Sequence, residues 1–168
     1  DVSEQEAKLK LRLAQLEKHE RCQEDFLIFV KNMWPDFIAG RHHKIIAEKL
    51  ERVARGELKR LIINMAPRHT KSEFASFLFP AWMMGKNPKM KIIQATHTTE
   101  LAVNFGRKTK NLIDSDEYKG IFPTVNLSAD SKASGRWDTT SGGMYYAVGV
   151  GSNLAGRGGD LVIIDDPH

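Results

Sequence analysis

The sequence predicts an α/β protein with a mainly parallel central sheet flanked by helices. The first observation is a set of apolar, β-branched runs, which open residues 61–72, fill residues 91–96 and dominate residues 160–167. The second is that stretches with helical spacing of apolar side chains separate these runs. Strands that alternate with helices favour a parallel sheet, because parallel neighbours need a crossover connection.

Length and composition indicate one globular domain with an ordinary core. The chain has 168 residues, of which 41% are hydrophobic and 27% charged, as in typical soluble domains. No apolar run approaches the roughly 20 residues of a membrane span, and the charged N-terminus has no signal-peptide pattern. We therefore expect no membrane contact. The start at Asp1, without a methionine, indicates a processed or excised form.

Cysteine content and net charge bear on the redox compartment and on the kind of partner. A single cysteine, Cys22, excludes an internal disulfide and fits a reducing compartment. The net charge of +4 permits contact with nucleic acid without requiring it. Neither number by itself selects a function.

Residues 1–33 are predicted to form a helical segment that precedes the main domain, residues 34–168. Apolar side chains recur at helical spacing across residues 3–31, and charges of both signs cover the other positions. This pattern predicts a peripheral helix or helix pair, with a partner-binding coiled coil as the alternative. Pro35 disfavours helix at the residue before it and ends the segment.

A second amphipathic helix is predicted to follow and to end at Gly56. Its apolar face is lined by His43, Ile46, Ala47, Leu50, Val53 and Ala54. Trp34, Phe37 and His43 lie upstream of the next predicted strand. They could wall an adenine pocket, or they could pack in the core, and the spacing alone leaves both open.

Residues 61–72 read L-I-I-N-M-A-P-R-H-T-K-S, an apolar run followed by a polar loop that ends in Lys-Ser before a helical pattern. This is the order of a P-loop: strand, phosphate-binding loop, helix. Backbone N–H groups in such a loop face nucleotide phosphates. Lys71 is then expected at the β- and γ-phosphates, and the Ser72 hydroxyl at Mg²⁺. The usual glycines are replaced by Met65 and Thr70.

Residues 160–167 read D-L-V-I-I-D-D-P and predict a fully buried, central parallel strand with two carboxylates at its end. Ligands of open α/β sheets bind outside the carboxyl ends of the strands. Asp165 is therefore expected beside a Mg²⁺ ion, and Asp166 beside an attacking water. A strand that ends in an ordinary Asp-Asp-Pro turn is the alternative.

The middle of the chain supplies the remaining elements. The helix after Ser72 is predicted to kink or to lose its regularity at Pro80. After the strand at residues 91–96, Thr98 is expected to cap a helix whose buried stripe comprises Leu101, Ala102, Phe105, Leu112 and Ile113.

Residues 136–139 and 144–148 flank Gly-Gly and predict a hairpin. Arg157 follows in a glycine-rich loop, either to stabilise transition-state charge or as a surface arginine.

Residues 34–167 resemble the ATPase domain of the large terminase subunit, the DNA-packaging motor of tailed bacteriophages. The resemblance rests on a variant Walker A motif at residues 66–72 and a Walker B motif at residues 161–167. Residues 117–123 (E-Y-K-G-I-F-P) and the glycine-rich residues 149–158 also look like that family. It implies a P-loop NTPase fold of the ASCE type, which here would be truncated after the Walker B strand.

The resemblance also implies roles for individual residues. Arg68, His69, Thr70, Lys71 and Ser72 would contact the nucleotide, with Ser72 and Asp165 at Mg²⁺. Lys71, Asp166 and Arg157 would be catalytic, and Arg157 would reach into a neighbouring subunit. Asp166 stands where many family members have glutamate, and Thr70 where they have glycine.

The family setting adds partners and a location. It implies ATP and Mg²⁺ as ligands, and double-stranded DNA, a portal protein and a small terminase subunit as partners. A homo-oligomeric ring on the procapsid, in the bacterial host cytoplasm, would do the packaging. Two other functions stay open: another DNA-dependent P-loop ATPase, and a degenerate P-loop module that binds DNA or a capsid partner without hydrolysis, which Thr70 favours.

Overall fold

The computed structural model describes residues 2–66, 68, 70–154 and 156–168, so the predicted site residue His69 lies outside the described residues. The elements combine helices with a four-stranded mixed sheet, as an α/β protein requires. The helices are α1 (Val2–Glu24), α2 (Phe26–Met33), α3 (Arg41–Ala54), a π-helical segment (Glu73–Leu78), α4 (Phe79–Lys86), α5 (Thr99–Ile113) and α6 (Asp116–Ile121). The strands are β1 (Lys91–Thr96), β2 (Arg136–Asp138), β3 (Met144–Gly149) and β4 (Leu161–Asp165).

The sheet is mostly parallel, with strand order β2-β3-β1-β4. Strand β1 pairs in parallel with both β3 and β4, and β2 pairs antiparallel with β3. The prediction of a mainly parallel sheet and that of the β2–β3 hairpin are therefore confirmed. Because β1 and β4 run in the same direction, Thr96 and Asp165 lie side by side at their carboxyl ends.

The main core lies between one face of this sheet and the helices. Tyr145 of β3 stacks on Trp137 of β2 with 5.0 Å between ring centroids, and the Trp137 indole N–H donates to the Gly106 carbonyl of α5 at 3.2 Å. A Cβ atom at Gly106 would come within 3.1 Å of the Tyr145 ring, so this glycine lets α5 lie close on the sheet. The opposite face carries a smaller cluster of Ile93, Ala95 and Val148.

The N-terminal pattern forms two helices, one of the two arrangements that the sequence allowed. Asp25 separates them, since its carboxylate accepts the Ile28 N–H at 2.9 Å and caps α2. Helix α2 buries Phe26 and Phe29 in the core, whereas residues 2–18 of α1 are exposed. Among the described residues, no helix has the length and apolar content to cross a membrane.

The strand predicted at the start of residues 61–72 is wrong: residues 61–66 form no strand. Leu61, Ile63 and Met65 are half-buried and pack on the core, while the residues between them are exposed, as in an extended chain. A strand needs a hydrogen-bonded neighbour, and this segment pairs with none of the four described strands.

Strand β4 is at the sheet edge, so the prediction of a fully buried central strand is also wrong. Within the described part of the chain, β4 pairs with β1 alone. Val162 and Ile164 point to the sheet face that carries the smaller cluster, here called the thinly covered face, and they are 54% and 63% exposed. A run of apolar residues cannot by itself tell a central strand from an edge strand whose outer face is open.

The predicted starts and breaks of the helices at Thr98 and Pro80 compare with the structure as follows, while α6 was not predicted. Thr98 caps α5 by accepting the Leu101 N–H at 3.2 Å, as predicted, but Leu101 is exposed rather than part of the buried stripe. The helix after Ser72 does not end at Pro80. It loses α-helical regularity just before that residue, where the Phe79 N–H bonds to the Phe74 carbonyl in π-helical fashion.

Candidate functional site

The loop around Lys71 and the end of β4 meet although they are far apart in the chain. The Lys71 ammonium nitrogen lies 2.9 Å from Asp166 Oδ1 and 3.8 Å from Asp165 Oδ1. These carboxylates stand at the carboxyl edge of the parallel β1–β4 pair, where α/β sheets place their ligands. The residues that the two sequence motifs contribute therefore form one cluster.

Lys71 is held as a cation between the two carboxylates. Its hydrogen bond to Asp166, together with the charges of Asp166 and Asp165, raises the pKa of the ammonium group above its ordinary value, although partial burial opposes the shift. Its side chain is 25% exposed, so an anionic ligand can reach it from solvent.

The carboxylate of Asp165 is buried and fixed. The side-chain hydroxyl of Ser76 donates to Asp165 Oδ2 at 2.8 Å, which leaves Oδ1 turned toward Lys71. Ser76 lies in the π-helical segment, four residues after Ser72, and is itself buried. Ser76 was not among the residues predicted for the site. A serine on the otherwise apolar face of the helix that follows the loop was the available signal.

Asp166 differs from its neighbour in exposure and backbone. Its side chain is 68% exposed, and its φ of +42° lies in the left-handed region, which is uncommon for residues other than glycine. The Asp166 carbonyl accepts the His97 N–H at 3.2 Å. This bond carries the β1–β4 pairing one step past the strands and fixes the Asp166 backbone while its carboxylate faces solvent.

The loop before Lys71 has an unusual backbone. Arg68 and Thr70 have φ values of +64° and +62°, and the left-handed region is especially unfavourable for a β-branched residue such as threonine. The Thr70 carbonyl accepts the Phe74 N–H at 3.0 Å, so Thr70 opens the helix that contains Lys71. Together these features give a turn that delivers the chain into a helix at Lys71.

A cavity of about 450 Å³ lies at this loop. Its lining includes four of the predicted nucleotide-binding residues and one predicted catalytic carboxylate. The residues around it are Met65, Ala66, Arg68, Thr70, Lys71, Ser72, Glu73 and Asp166. The volume falls in the range of small-ligand sites, and two cations face it from the loop.

His43, which the sequence left open as an adenine-pocket wall or a core residue, makes a contact with the loop that was not predicted. Its ring packs against those of Phe37 and Phe74, with centroids 4.7 and 5.3 Å away, and it is 7% exposed. Of the two roles left open for this residue, these contacts match core packing. The same ring also reaches the loop, because His43 Nε2 lies 2.7 Å from the Thr70 hydroxyl oxygen.

Arg157 lies apart from this cluster. Its guanidinium group stacks over the Tyr146 ring at 4.2 Å from the centroid, on the thinly covered face of the sheet. It is not among the described residues that line the cavity. In this structure Arg157 therefore contacts Tyr146 and does not line the cavity beside Lys71.

The donor set suits a hard cation only in part. Ser72 and Asp165 offer a hydroxyl and a carboxylate, and Mg²⁺ is commonly held by one or two protein oxygens together with water and substrate phosphates. Among the described residues there is no group of three or more His, Cys, Asp or Glu side chains that could hold a metal without such help. A magnesium ion held by Ser72 and Asp165 would therefore need water and a phosphate ligand to complete its coordination.

Comparisons of this chain with protein-family models, with curated proteins and with solved structures found no match.

Proposed function

We propose that this chain is a P-loop ATPase domain that hydrolyses Mg·ATP to drive DNA packaging into a viral procapsid. The proposal rests chiefly on one observation: Lys71, at the start of a helix, meets the two carboxylates at the end of β4 beside a cavity. A lysine after a tight loop and paired acids on a strand end are the working parts of phosphoryl transfer.

In this proposal the loop binds the phosphates through charge and backbone N–H groups. Lys71 leaves Asp166 when nucleotide binds and moves its ammonium group to the γ-phosphate, with Arg68 as a further cation of the loop. The exchange is feasible because the Asp166 carboxylate is largely exposed and solvates readily once Lys71 departs.

The metal would be held by the Ser72 hydroxyl and the Asp165 carboxylate. When bound, Mg²⁺ neutralises charge that develops on the phosphate oxygens. The Ser76 hydroxyl keeps Asp165 oriented by occupying Oδ2, so the free oxygen Oδ1 is the one available as a ligand.

Asp166 is the proposed general base that orients and deprotonates the attacking water. Its carboxylate is 68% exposed and lies next to Lys71, so it reaches both water and the phosphate site. Arg157 is the proposed trans-acting arginine. Because it does not line the cavity of its own chain, we place it at the site of a neighbouring subunit in a homo-oligomeric ring.

The coupling to DNA rests on the motif resemblance to large terminase subunits. It implies double-stranded DNA, a portal protein and a small terminase subunit as partners, and action on the procapsid in the bacterial host cytoplasm. Another DNA-dependent P-loop ATPase would share the same site, and phosphate release measured with and without portal-bearing procapsids separates the two.

The test of the nucleotide site is equilibrium titration of the chain with a fluorescent ATP analogue, with and without Mg²⁺, followed by phosphate release with and without DNA. We expect Mg²⁺-dependent binding and slow hydrolysis by the chain alone. Lys71→Ala should lower hydrolysis by orders of magnitude, whereas Lys89→Ala, at an exposed lysine away from the cavity, should not.

The outcomes separate the proposal from its rivals. Absence of Mg·ATP binding, or normal turnover by a folded Lys71→Ala variant, would overturn the assignment of the loop. Nucleotide binding without phosphate release under any condition, including the assembled ring with DNA, would favour the non-hydrolysing module instead.

A further inference from the structure

We infer that His43 is a positioning residue of the phosphate loop. Through a hydrogen bond from its Nε2–H to the Thr70 hydroxyl, it holds residue 70 in the left-handed conformation that a glycine would adopt unaided. The inference rests on the proposed function for its effect on nucleotide binding, but its conformational part stands on the contacts alone.

The direction of the hydrogen bond follows from the other ring nitrogen of His43. The Gly40 N–H donates to His43 Nδ1 at 2.9 Å, so Nδ1 is an acceptor and carries no proton. In a neutral imidazole the proton must then lie on Nε2. The 2.7 Å contact between Nε2 and Thr70 Oγ1 is therefore a bond in which the histidine donates and the threonine accepts.

His43 is itself held rigidly. It is the third residue of α3, and its bond from Gly40 N–H satisfies a backbone donor at the start of that helix, as a capping box does. The imidazole packs against the rings of Phe37 and Phe74, which also contact each other, and against the ring of His42. A buried ring with both nitrogens engaged is a fixed point to which a loop can be attached.

Thr70 is the residue that needs such an attachment. Its φ of +62° is natural for glycine and unfavourable for a β-branched residue, which persists there only when its surroundings enforce it. Thr70 directly precedes Lys71, and its carbonyl begins the helical hydrogen bonding at Phe74. The conformation of Thr70 thus sets the direction in which Lys71 leaves the loop.

The arrangement explains how a loop without the usual glycine keeps a P-loop-like turn. Glycine adopts positive φ readily, so a loop with glycine at this position would not need His43. Threonine does need it, and its hydroxyl is the group that His43 binds. The histidine on α3 and the threonine in the loop therefore form a functional pair.

The test is a double-mutant cycle with four variants of the full chain: His43→Phe, Thr70→Gly, the double variant and Thr70→Val. His43→Phe keeps an aromatic ring against Phe37 and Phe74 but removes the donor to Thr70 and the acceptor of the Gly40 N–H, and the double variant carries the same loss at Gly40. We expect about tenfold weaker Mg·ATP binding for His43→Phe and for Thr70→Val, the loss of one hydrogen bond that holds the loop. The double variant should bind like Thr70→Gly, because the glycine loop no longer depends on His43.

Two further variants and two nucleotide-free measurements separate positioning from general destabilisation. Thr70→Ser keeps the hydroxyl and should bind Mg·ATP more tightly than Thr70→Val. His43→Gln keeps a donor and should bind Mg·ATP more tightly than His43→Phe. Both comparisons are made at matched thermal stability. Without nucleotide, ¹⁵N NMR of His43 should report the Nε2–H tautomer. Hydrogen exchange at the Phe74 amide should be faster in His43→Phe than in the wild-type chain. In the double variant it should be no faster than in Thr70→Gly.

Strict additivity of the two substitutions, in affinity and in Phe74 exchange, would overturn the inference, because His43 would then act only through packing. A tautomer with the proton on Nδ1 would overturn it as well. If the wild-type chain binds no nucleotide, the proposed function fails, while the tautomer and exchange measurements still decide whether His43 positions the loop.

Discussion

Substitution of the two neighbouring carboxylates, Asp165→Asn and Asp166→Asn, should have different consequences. Asp165 is buried and bonded to Ser76, whereas Asp166 is largely exposed and bonded to Lys71. Asparagine keeps the shape of either side chain and removes its charge. The comparison therefore isolates what each charge does.

The effect of Asp166→Asn on binding can be worked out from the ion pair. At 2.9 Å, the Coulomb attraction between Lys71 and Asp166 is about 1.4 kcal/mol in water. Because the Asp166 side chain is 68% exposed, we reduce this to about 1 kcal/mol or less. Its loss should lower the free energy of unfolding by no more than that amount. It should also tighten nucleotide binding by up to about fivefold, since Lys71 no longer has to leave an anion.

Hydrolysis should respond in the opposite sense. Without the proposed general base, phosphate release should fall by about 10²–10⁴-fold while ATP remains bound. Asp165→Asn should instead weaken Mg²⁺-dependent binding and leave Mg²⁺-independent binding nearly unchanged. The Ser76 hydrogen bond survives there, because the asparagine side-chain oxygen also accepts, so the fold should be retained.

The assays are titration of each variant with a fluorescent ATP analogue at several Mg²⁺ concentrations, and single-turnover phosphate release. Thermal unfolding of each variant is the control for folding. Equal loss of binding in both variants would refute the division of roles between the carboxylates. So would wild-type hydrolysis by Asp166→Asn.

Two further predictions concern other parts of the chain. The first is a mixing experiment in the assembled motor, which combines Arg157→Ala subunits that keep Lys71 with Lys71→Ala subunits that keep Arg157. Hydrolysis should recover on mixing, because a trans arginine contributes about 10³–10⁵ in rate. Normal ATPase activity in a ring made wholly of Arg157→Ala subunits would show that the arginine is structural. The second is that Asp25→Ala should lower the free energy of unfolding, measured by urea titration, by about 1 kcal/mol because α2 loses its cap. The control is Asp36→Ala, at a residue outside any helix, which should change the free energy of unfolding little. Equal effects of the two substitutions would contradict a capping role for Asp25.

The sequence predicted α5, the end of α2 and strand β1 well because local signals define them, whereas α6 was not predicted. Thr98 before an amphipathic stretch fixes the start of α5, and Pro35 limits α2. Strand β1 covers residues 91–96, as its apolar run indicated. The proximity of Lys71 to Asp165 was also expected from the order of the two motifs, although the strand assumed before the Lys71 loop does not form.

The contacts through which Ser76 and His43 orient the site were not accessible from the sequence. Ser76 and His43 each lie on an apolar helix face, and their spacing is that of core residues. What makes them important is a contact across the fold: Ser76 with Asp165 at the end of the chain, and His43 with Thr70 in the loop. No periodicity in one helix records a partner in another segment.

The two wrong strand predictions have one physical cause: an apolar composition does not by itself provide hydrogen-bonded neighbours for a segment. The same cause affects how the loop at residues 66–72 is held. Residues 61–66 and β4 both have the apolar composition of interior strands, yet the segment has no strand partner among the described residues and β4 keeps an open edge. A strand that enters a phosphate loop normally fixes it through backbone hydrogen bonds. Here the described contacts fix it from the other side, through the helix that begins at Lys71 and through His43 on α3. A loop anchored in this way depends on individual side chains, so substitution at His43 should disturb it more than substitution at exposed Ile62 would.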